Sequence, residues 1–166
     1  LAGVVPCSRL PAFLAHLDDP AAFKRVHRCP SLSADTFGFD PDGGYGRGGV
    51  WPPTVYMLLA GLHAVGQDDL AHDIARNHLG NVVATCARTG TLWENYAPDR
   101  FGERRSTPDF VGWSGLPPIA VLFEHVFGLR PDAPGGLLTW HVRLLEAHGV
   151  ANYPFGRDGM ISQRCA

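Results

Sequence analysis

Glu94 has the clearest chemical potential in this sequence, because it lies between two aromatic residues in the segment Thr91-Leu-Trp-Glu-Asn-Tyr-Ala-Pro-Asp99. A glutamate carboxyl group is ionised at neutral pH and can accept a proton from water. Neighbouring aromatic faces, here those of Trp93 and Tyr96, can cover the apolar C–H faces of a sugar. The segment therefore indicates a carbohydrate site with Glu94 as its reactive group, and the alternative is an exposed loop carboxylate that makes a local cap.

Two further segments combine glycine with aromatic residues, and each adjoins a predicted helix. They are Gly44-Tyr-Gly-Arg-Gly-Gly-Val-Trp-Pro-Pro53 and Pro108-Asp-Phe-Val-Gly-Trp-Ser-Gly115. We expect the three segments to form one pocket, with sugar-contacting residues supplied by all of them: Tyr45, Arg47, Trp51, Trp93, Tyr96 and Trp113. The aromatic residues could instead pack between helix ends, and Arg47 could instead form a surface ion pair.

The composition excludes several classes of protein. A chain of 166 residues with 45% hydrophobic residues suits one globular domain. The net charge of −2 argues against a nucleic-acid partner, and the absence of an 18-residue apolar run argues against a membrane span. The four Cys form no C-x-x-C pair, which favours reduced thiols in a cytoplasmic protein.

The eight His are scattered and form no metal-binding motif, so we expect no metal and no cofactor. Most of these His are expected on helix surfaces. The chain also lacks an initiator Met, and we therefore expect a fragment or a processed protein.

The first part of the chain predicts short helices and one long loop. Ser8 can cap a helix with apolar residues at positions 10, 13, 14 and 17, and Asp19-Pro20 predicts a second short helix over 21–25. From Cys29 to Pro53 no period is found, which predicts an ordered loop that forms part of the site. Within this loop Asp40-Pro-Asp-Gly-Gly44 predicts a turn.

Longer helices follow. One begins at Pro52-Pro53 and ends at Gly66, and its partner begins at Asp68 or Asp69 and ends at Gly90. A third, capped by Ser114, should end at Gly128. Each helix has an expected apolar stripe. In the first it is Val55, Leu58, Leu59, Leu62 and Val65, and in the second it is Leu70, Ile74, Ala75, His78, Val82, Val83 and Cys86. In the third it is Leu116, Ile119, Ala120, Phe123, Val126 and Phe127.

Two helices begin alike, because Gly49-Val-Trp-Pro-Pro53 and Gly112-Trp-Ser-Gly-Leu-Pro-Pro118 each combine Gly, Trp and a Pro pair. This weak repeat suggests a helical toroid, in which equivalent helix starts face one central pocket. After Gly136 the pattern changes to strand-like runs over 137–145, 149–153 and 159–164, the first of which could instead be helical, with a hairpin turn at Phe155-Gly-Arg-Asp-Gly159. We expect a mainly α fold: a helical unit over 1–136 and a short β-rich tail over 137–166.

The strings YGRGGVWPP at 45–53, TLWENYAPD at 91–99 and PDFVGWSGLPPIAVL at 108–122 resemble a known enzyme family in order and spacing. They are similar to the C-terminal half of the catalytic domain of glycoside hydrolase family 63, most of all to bacterial mannosylglycerate hydrolase-like members. More distantly they resemble trehalases. The resemblance implies about half of an (α/α)6 barrel and an inverting mechanism on a small α-glycoside that is mannosylglycerate-, glucosylglycerate- or trehalose-like.

The resemblance also implies roles for single residues. Glu94 corresponds to the general base of the family, and Asp109 to a pocket carboxylate that orients the water or Trp113, unless it merely begins a turn. The general acid of the family is an Asp in the N-terminal half of the barrel, so we expect it upstream of this chain. Two positions depart from the family pattern, because Gly46 replaces an aromatic residue and Val55 replaces an Asn.

From these points we expect the isolated chain to be inactive, with the missing half of the barrel or a dimer mate as its protein partner. Two alternatives stay open. The chain could be a non-catalytic helical module that binds a carbohydrate or a partner protein. It could also be another toroidal enzyme such as a sugar epimerase, which would require paired His residues in the pocket.

Overall fold

A computed structural model describes residues 4–157 and 159–166. Its helices are α1 (Leu10–Leu17), α2 (Pro52–Ala64), α3 (Asp68–Thr89) and α4 (Gly112–Val121), and α4 continues into a π-turn at Leu122–Val126. Short 3-10 turns occur at Cys7–Arg9 and Tyr45–Arg47. The strands are β1 (Leu129–Asp132), β2 (Leu137–Trp140), β3 (His148–Phe155) and β4 (Gly159–Cys165).

Helix α2 lies at the centre of the fold, between α3 and α4. Prolines at its first two positions start the helix without loss of a backbone hydrogen bond, as the sequence predicted. Its buried stripe of Val55, Leu59 and Leu62 packs with Ile74 of α3 and Val121 of α4. The starts of α2 and α4 also lie side by side, since the rings of Trp51 and Trp113 are 6.2 Å apart.

The ends of the long helices agree with the predictions. Gly90 follows α3 with a left-handed φ of +79°, and its N–H donates to the Cys86 carbonyl group at 2.8 Å. Residues 18–51 between α1 and α2 form an irregular segment, in agreement with the predicted loop. Its predicted turn is present, since Asp40 accepts hydrogen bonds from the N–H groups of Asp42 and Gly43.

Two predictions about the first 25 residues were wrong. Helix α1 begins at Leu10, and Ser8 lies in the preceding 3-10 turn rather than at the cap. Residues 20–23 form a turn instead of a helix, although the Asp19 carboxylate accepts a hydrogen bond from the Ala21 N–H at 2.8 Å. One such side-chain bond can close a turn, but it cannot propagate a helix without a face to bury.

The predicted apolar face of α4 was wrong in its first half, although Val126 in the π-turn is buried and Phe127 packs against the core as predicted. Leu116 and Ile119 are exposed, and the helix instead buries Ser114, Gly115 and Val121. The small residues let α4 approach the rest of the fold closely, so the larger apolar side chains lie on the outside. Helix α3 differs from its predicted stripe in a similar way, because Val83 is exposed whereas Ala71 and Asn81 are buried.

The C-terminal part consists of two antiparallel hairpins, β1–β2 and β3–β4. Strand β1 was not predicted, and because it pairs with β2 the first hairpin spans both sides of the expected boundary at 136/137. Residues 141–145, which were expected to continue the strand that begins at Leu137, are irregular. Phe155 pairs with Gly159 across the predicted hairpin turn, of which Asp158 lies outside the described residues.

Within residues 4–157 and 159–166, none of the helices has the length and apolar character needed to cross a membrane.

Candidate active site

Three loops meet beside the starts of α2 and α4. Val50 and Tyr96 exchange two backbone hydrogen bonds, of 2.9 and 3.0 Å, so the first loop pairs with the second. The Glu94 N–H donates to the Thr107 carbonyl group at 3.0 Å, so the second pairs with the third. We call these loops L1 (residues 40–51), L2 (residues 91–99) and L3 (residues 105–113).

Glu94 lies in the middle loop and is half-buried. Its Oε2 accepts a hydrogen bond from the Thr107 hydroxyl group at 3.1 Å. Its backbone carbonyl group accepts a second, from the buried Ser114 hydroxyl group, at 2.7 Å. Both the backbone and the carboxylate are therefore fixed, by L3 and by the first turn of α4, while the side chain keeps access to solvent.

Aromatic side chains from L1 and L3 form a connected row. The rings of Tyr45 and Trp51 meet edge to face with centroids 4.7 Å apart, and those of Trp51 and Trp113 lie 6.2 Å apart. Phe110, which the sequence analysis did not select, extends the row with its centroid 6.0 Å from that of Trp113. Tyr45 is 60% exposed and Trp113 is 55% exposed, so this aromatic row offers ring surface to a ligand.

The side chains of the two aromatic residues that flank Glu94 pack in or against the core. Tyr96 is fully buried in the core, and its hydroxyl oxygen accepts a long hydrogen bond of 3.4 Å from the Trp93 N–H. Trp93 packs against the core and its Nε1–H donates to the Thr89 hydroxyl oxygen at 3.0 Å. The position of Tyr96 does not agree with the expected contact to a sugar, because its backbone pairing with Val50 holds it in the core.

Two arginine side chains share one carboxylate of L1. Arg47 Nη2 approaches Asp40 Oδ2 at 3.5 Å, and Arg105 Nη1 from L3 donates to the same oxygen at 2.9 Å. Both Arg side chains are more than 60% exposed, whereas that of Asp40 is 12% exposed. The three groups together carry one net positive charge, and both guanidinium groups stay accessible to an anion.

The other predicted carboxylate, Asp109, is exposed and adopts a left-handed φ of +56°. Asp is one of the few residues other than Gly that adopt this conformation readily. The geometry agrees with the turn that the sequence analysis left open for this residue.

Asn95 is a site residue that sequence reasoning missed. Its N–H donates to the Ser106 hydroxyl oxygen at 2.9 Å, and its side chain is 1% exposed beneath L1. A Cβ atom added at Gly49 would lie 3.1 Å from the Asn95 amide oxygen and 2.6 Å from the Tyr45 carbonyl oxygen. Only glycine fits at that position, which explains one of the closely spaced Gly residues of L1.

A buried pair of imidazole rings supports L2 from below. His27 Nε2 and His78 Nδ1 share a hydrogen bond of 2.8 Å, and the His27 ring lies 5.6 Å from that of Tyr96. The backbone N–H of His27 also donates to the Pro98 carbonyl group at 2.8 Å. Burial lowers the pKa of His27 well below its usual range and that of His78 to about 3, so both rings are neutral at pH 7.

These His residues correct the expectation that the His lie on helix surfaces. Burial of His78 follows from its place on the apolar stripe of α3, but its pairing with His27 across 51 residues has no local signal. Because the pair is buried, it does not supply the solvent-facing His residues that a sugar epimerase requires.

In the described part of the chain, no three His, Cys, Asp or Glu side chains lie close enough to hold a metal ion.

Comparison with known proteins gives consistent matches. The sequence model of the mannosylglycerate hydrolase MGH1-like glycoside hydrolase domain matches residues 1–114, which include L1, L2 and L3. A probable mannosyl-oligosaccharide glucosidase of Schizosaccharomyces pombe is 28% identical over 126 residues, which cover 69% of this chain and 16% of that protein. An uncharacterised protein of Borreliella burgdorferi is 23% identical over 154 residues, 86% of this chain and 32% of that protein. The chain thus spans about a third or less of the length of these relatives.

Proposed function

The chain belongs to the mannosylglycerate hydrolase MGH1-like glycoside hydrolase family, and on that basis we propose that it is a portion of an inverting α-glycosidase with Glu94 as general base. One observation carries this proposal. Glu94 lies on the loop that joins L1 to L3, with its carboxylate held by Thr107 and its backbone held by Ser114. A base that must take a proton from one particular water needs such fixed geometry.

The proposed reaction needs a second carboxyl group. In an inverting glycosidase one carboxylic acid protonates the leaving oxygen while the base activates a water on the opposite face of the sugar, with the groups about 6.5–9.5 Å apart. We propose that the acid is an Asp supplied by polypeptide outside residues 1–166, since none of the Asp residues of this chain matches the acid of the family. The greater length of the relatives supports this division.

The proposed substrate is a small α-glycoside of the mannosylglycerate, glucosylglycerate or trehalose type. The aromatic row would cover the apolar face of the sugar ring. The net positive charge shared by Arg47, Arg105 and Asp40 favours an acidic aglycone such as glycerate over a neutral second sugar. Gly46, in place of an aromatic residue, leaves space beside this charge and removes one ring contact.

The remaining part of the proposed domain would pack on the outer face of α3 and α4. An apolar groove of about 480 Å³ lies there, lined by Leu79, Val83 and Ile119 among others. Val83 is 62% exposed in this chain. We propose that another helical segment of the same (α/α)6 toroid fills the groove, in preference to a dimer mate, because the relatives contain about three to five times as much polypeptide.

A non-catalytic carbohydrate-binding module is the second candidate. The exposed rings of Tyr45 and Trp113 favour it, since they could bind a sugar without any chemistry. In that case Glu94 would serve only to pair L2 with L3.

Hydrolysis of α-mannosyl fluoride tests the proposal, because fluoride leaves with little help from an acid. We expect the chain to release fluoride slowly, to leave an ordinary mannoside intact, and to lose activity by about 10²–10⁴-fold in Glu94→Gln. Glu146→Gln, an exposed residue far along the chain, is the matched control. Release that persists in Glu94→Gln removes Glu94 from the mechanism, whereas mannose binding without any release favours the binding module.

A further inference from the structure

The backbone on both sides of the Glu94 Cα atom is fixed by residues that follow it in the chain. The Glu94 N–H donates to the Thr107 carbonyl group at 3.0 Å, and the Glu94 carbonyl group accepts from the Ser114 hydroxyl group at 2.7 Å. The Asn95 N–H donates to the Ser106 hydroxyl oxygen at 2.9 Å. These three hydrogen bonds fix where the Glu94 side chain begins, but they leave its χ angles free to choose among rotamers.

Thr107 also contacts the carboxylate itself. Its hydroxyl group donates to Glu94 Oε2 at 3.1 Å, since an ionised carboxylate has acceptor oxygens only. A hydroxyl group carries a single proton, so it can engage one carboxylate oxygen at a time. Within residues 4–157 and 159–166, the hydrogen bond from Thr107 leaves Oε1 without a protein partner. The two oxygens of Glu94 are therefore not equivalent.

The Thr107 hydroxyl group is presented to Glu94 by a stiff part of L3. Trp93 and Pro108, the neighbours of the two residues, pair in an antiparallel bridge. Pro108 also restricts the residue before it to an extended backbone. A β-branched side chain such as that of Thr107 has few accessible χ1 rotamers. The donor is thus held in place before it meets the carboxylate, and the hydrogen bond restricts mainly the Glu94 side chain.

On the basis of the function proposed above, we infer that Thr107 is a positioning residue that gives the two oxygens of Glu94 different tasks. The Thr107 hydroxyl group holds Oε2, and Oε1 takes the proton of the attacking water. As the water oxygen bonds to the anomeric carbon, one water proton passes to Oε1 and the leaving group departs with the electron pair of its bond to that carbon. The protonated carboxyl group later returns this proton to solvent.

The size of the effect follows from the geometry that a general base needs. A misplacement of about 1 Å can cost on the order of 10²-fold in rate. In Thr107→Val the shape of the side chain is kept but the donor is lost, so the carboxylate samples other rotamers and is productive part of the time. We expect this variant to lower kcat for α-mannosyl fluoride about tenfold. Its KM should stay within about twofold, because Thr107 contacts the base and not the sugar.

Two further variants complete the kinetic test. Thr107→Ser keeps the hydroxyl group and should retain kcat within about threefold of the parent. Thr36→Val, which removes a hydroxyl group from an exposed residue outside the three loops, is the matched control and should keep the parent rate. A rate increase in Thr107→Val, or equal losses in Thr107→Val and either other variant, overturns the inference. Loss of release in Glu94→Gln but not in Thr107→Val refutes this inference alone, whereas release that persists in Glu94→Gln refutes the proposed function.

NMR gives a readout that needs no turnover. Three-bond couplings from the backbone nitrogen and carbonyl carbon of Glu94 to its Cγ atom report the χ1 rotamer. At pH 7 we expect one dominant rotamer in the parent and in Thr107→Ser, and averaged couplings in Thr107→Val. Averaged couplings in the parent, or a single rotamer that persists in Thr107→Val, would show that the hydroxyl group does not hold the carboxylate, and the inference would fail.

Discussion

The buried His27–His78 pair makes the stability of the protein depend on pH. In the folded state burial lowers the pKa of His78 to about 3, whereas an exposed imidazole in the unfolded chain has a pKa of about 6.5. Between these values the unfolded chain binds more protons than the folded protein. Stability is therefore fully present above about pH 6.5 and is lost as the pH falls from there towards 3.

The size of the effect follows from the same two pKa values. The unfolded chain binds a proton on each of the two rings as the pH falls below about 6.5, whereas the folded protein binds none until the pH approaches the lowered values, so His27 and His78 act in the same direction. At pH 5 the proton on His78 alone costs about 2 kcal/mol relative to pH 7.5, and the proton on His27 adds to this cost. A change of this size is a large part of the free energy of unfolding of a typical protein, which is about 5–15 kcal/mol.

The perturbation is the double variant His27→Gln/His78→Gln, whose amide groups can hydrogen-bond to each other and do not titrate. Urea unfolding at pH 7.5 and pH 5, followed by tryptophan fluorescence, gives the free energy of unfolding at each pH. We expect the double variant to be less stable at pH 7.5, because its packing is altered. Its loss of stability between pH 7.5 and pH 5 should nevertheless be smaller than that of the parent protein by at least about 2 kcal/mol, the contribution of His78 alone.

The control is His141→Gln, which changes an exposed ring and should keep the pH dependence of the parent protein. An equal loss of stability in the double variant and the parent would refute the reasoning. A ring resonance of His27 or His78 that titrates near pH 6.5 in the folded protein would refute it as well. The NMR measurement needs no variant, so the prediction can be tested even if the double variant does not fold.

Two further predictions concern the loops of the candidate site. Gly49→Ala should destabilise the protein by about 1–3 kcal/mol in urea unfolding, because the new Cβ atom would lie 2.6 Å from the Tyr45 carbonyl oxygen. Gly46→Ala, with no atom within 4 Å of its Cβ, is the matched control, and equal losses would contradict the argument. Arg105→Gln should raise the Kd for an acidic glycoside, measured by calorimetric titration, about fivefold, the value of one exposed ion contact. An equal rise in the Kd for a neutral glycoside would show that Arg105 does not contact the acidic group and only holds Asp40 of L1 in place.

Much of the local structure could be predicted because its causes are local. Proline at the start of α2 and glycine after α3 act within one turn of the chain. The order and spacing of the three aromatic segments were sufficient to identify the family. The predicted meeting of these segments in space was also correct, since L2 pairs with both L1 and L3.

The orientation of side chains could not be predicted in the same way. Tyr96 and Tyr45 are both aromatic residues of Gly-rich or polar loops, yet the first is fully buried and the second is exposed. The pairing of Val50 with Tyr96 decides this, and it joins residues far apart in sequence. Helix α4 gives a similar case, because the small residues Ser114 and Gly115 determine which face can approach the core.

The amino-acid sequence alone thus determined the helical class, the order of the motifs and the identity of Glu94 as the candidate base. Only the tertiary structure decided which aromatic rings are exposed, which His residues are buried as a pair, and where two Arg side chains share one carboxylate. The physical reason is that capping, turn formation and periodicity depend on neighbouring residues, whereas burial and charge pairing depend on distances of a few ångströms between residues that are distant along the chain.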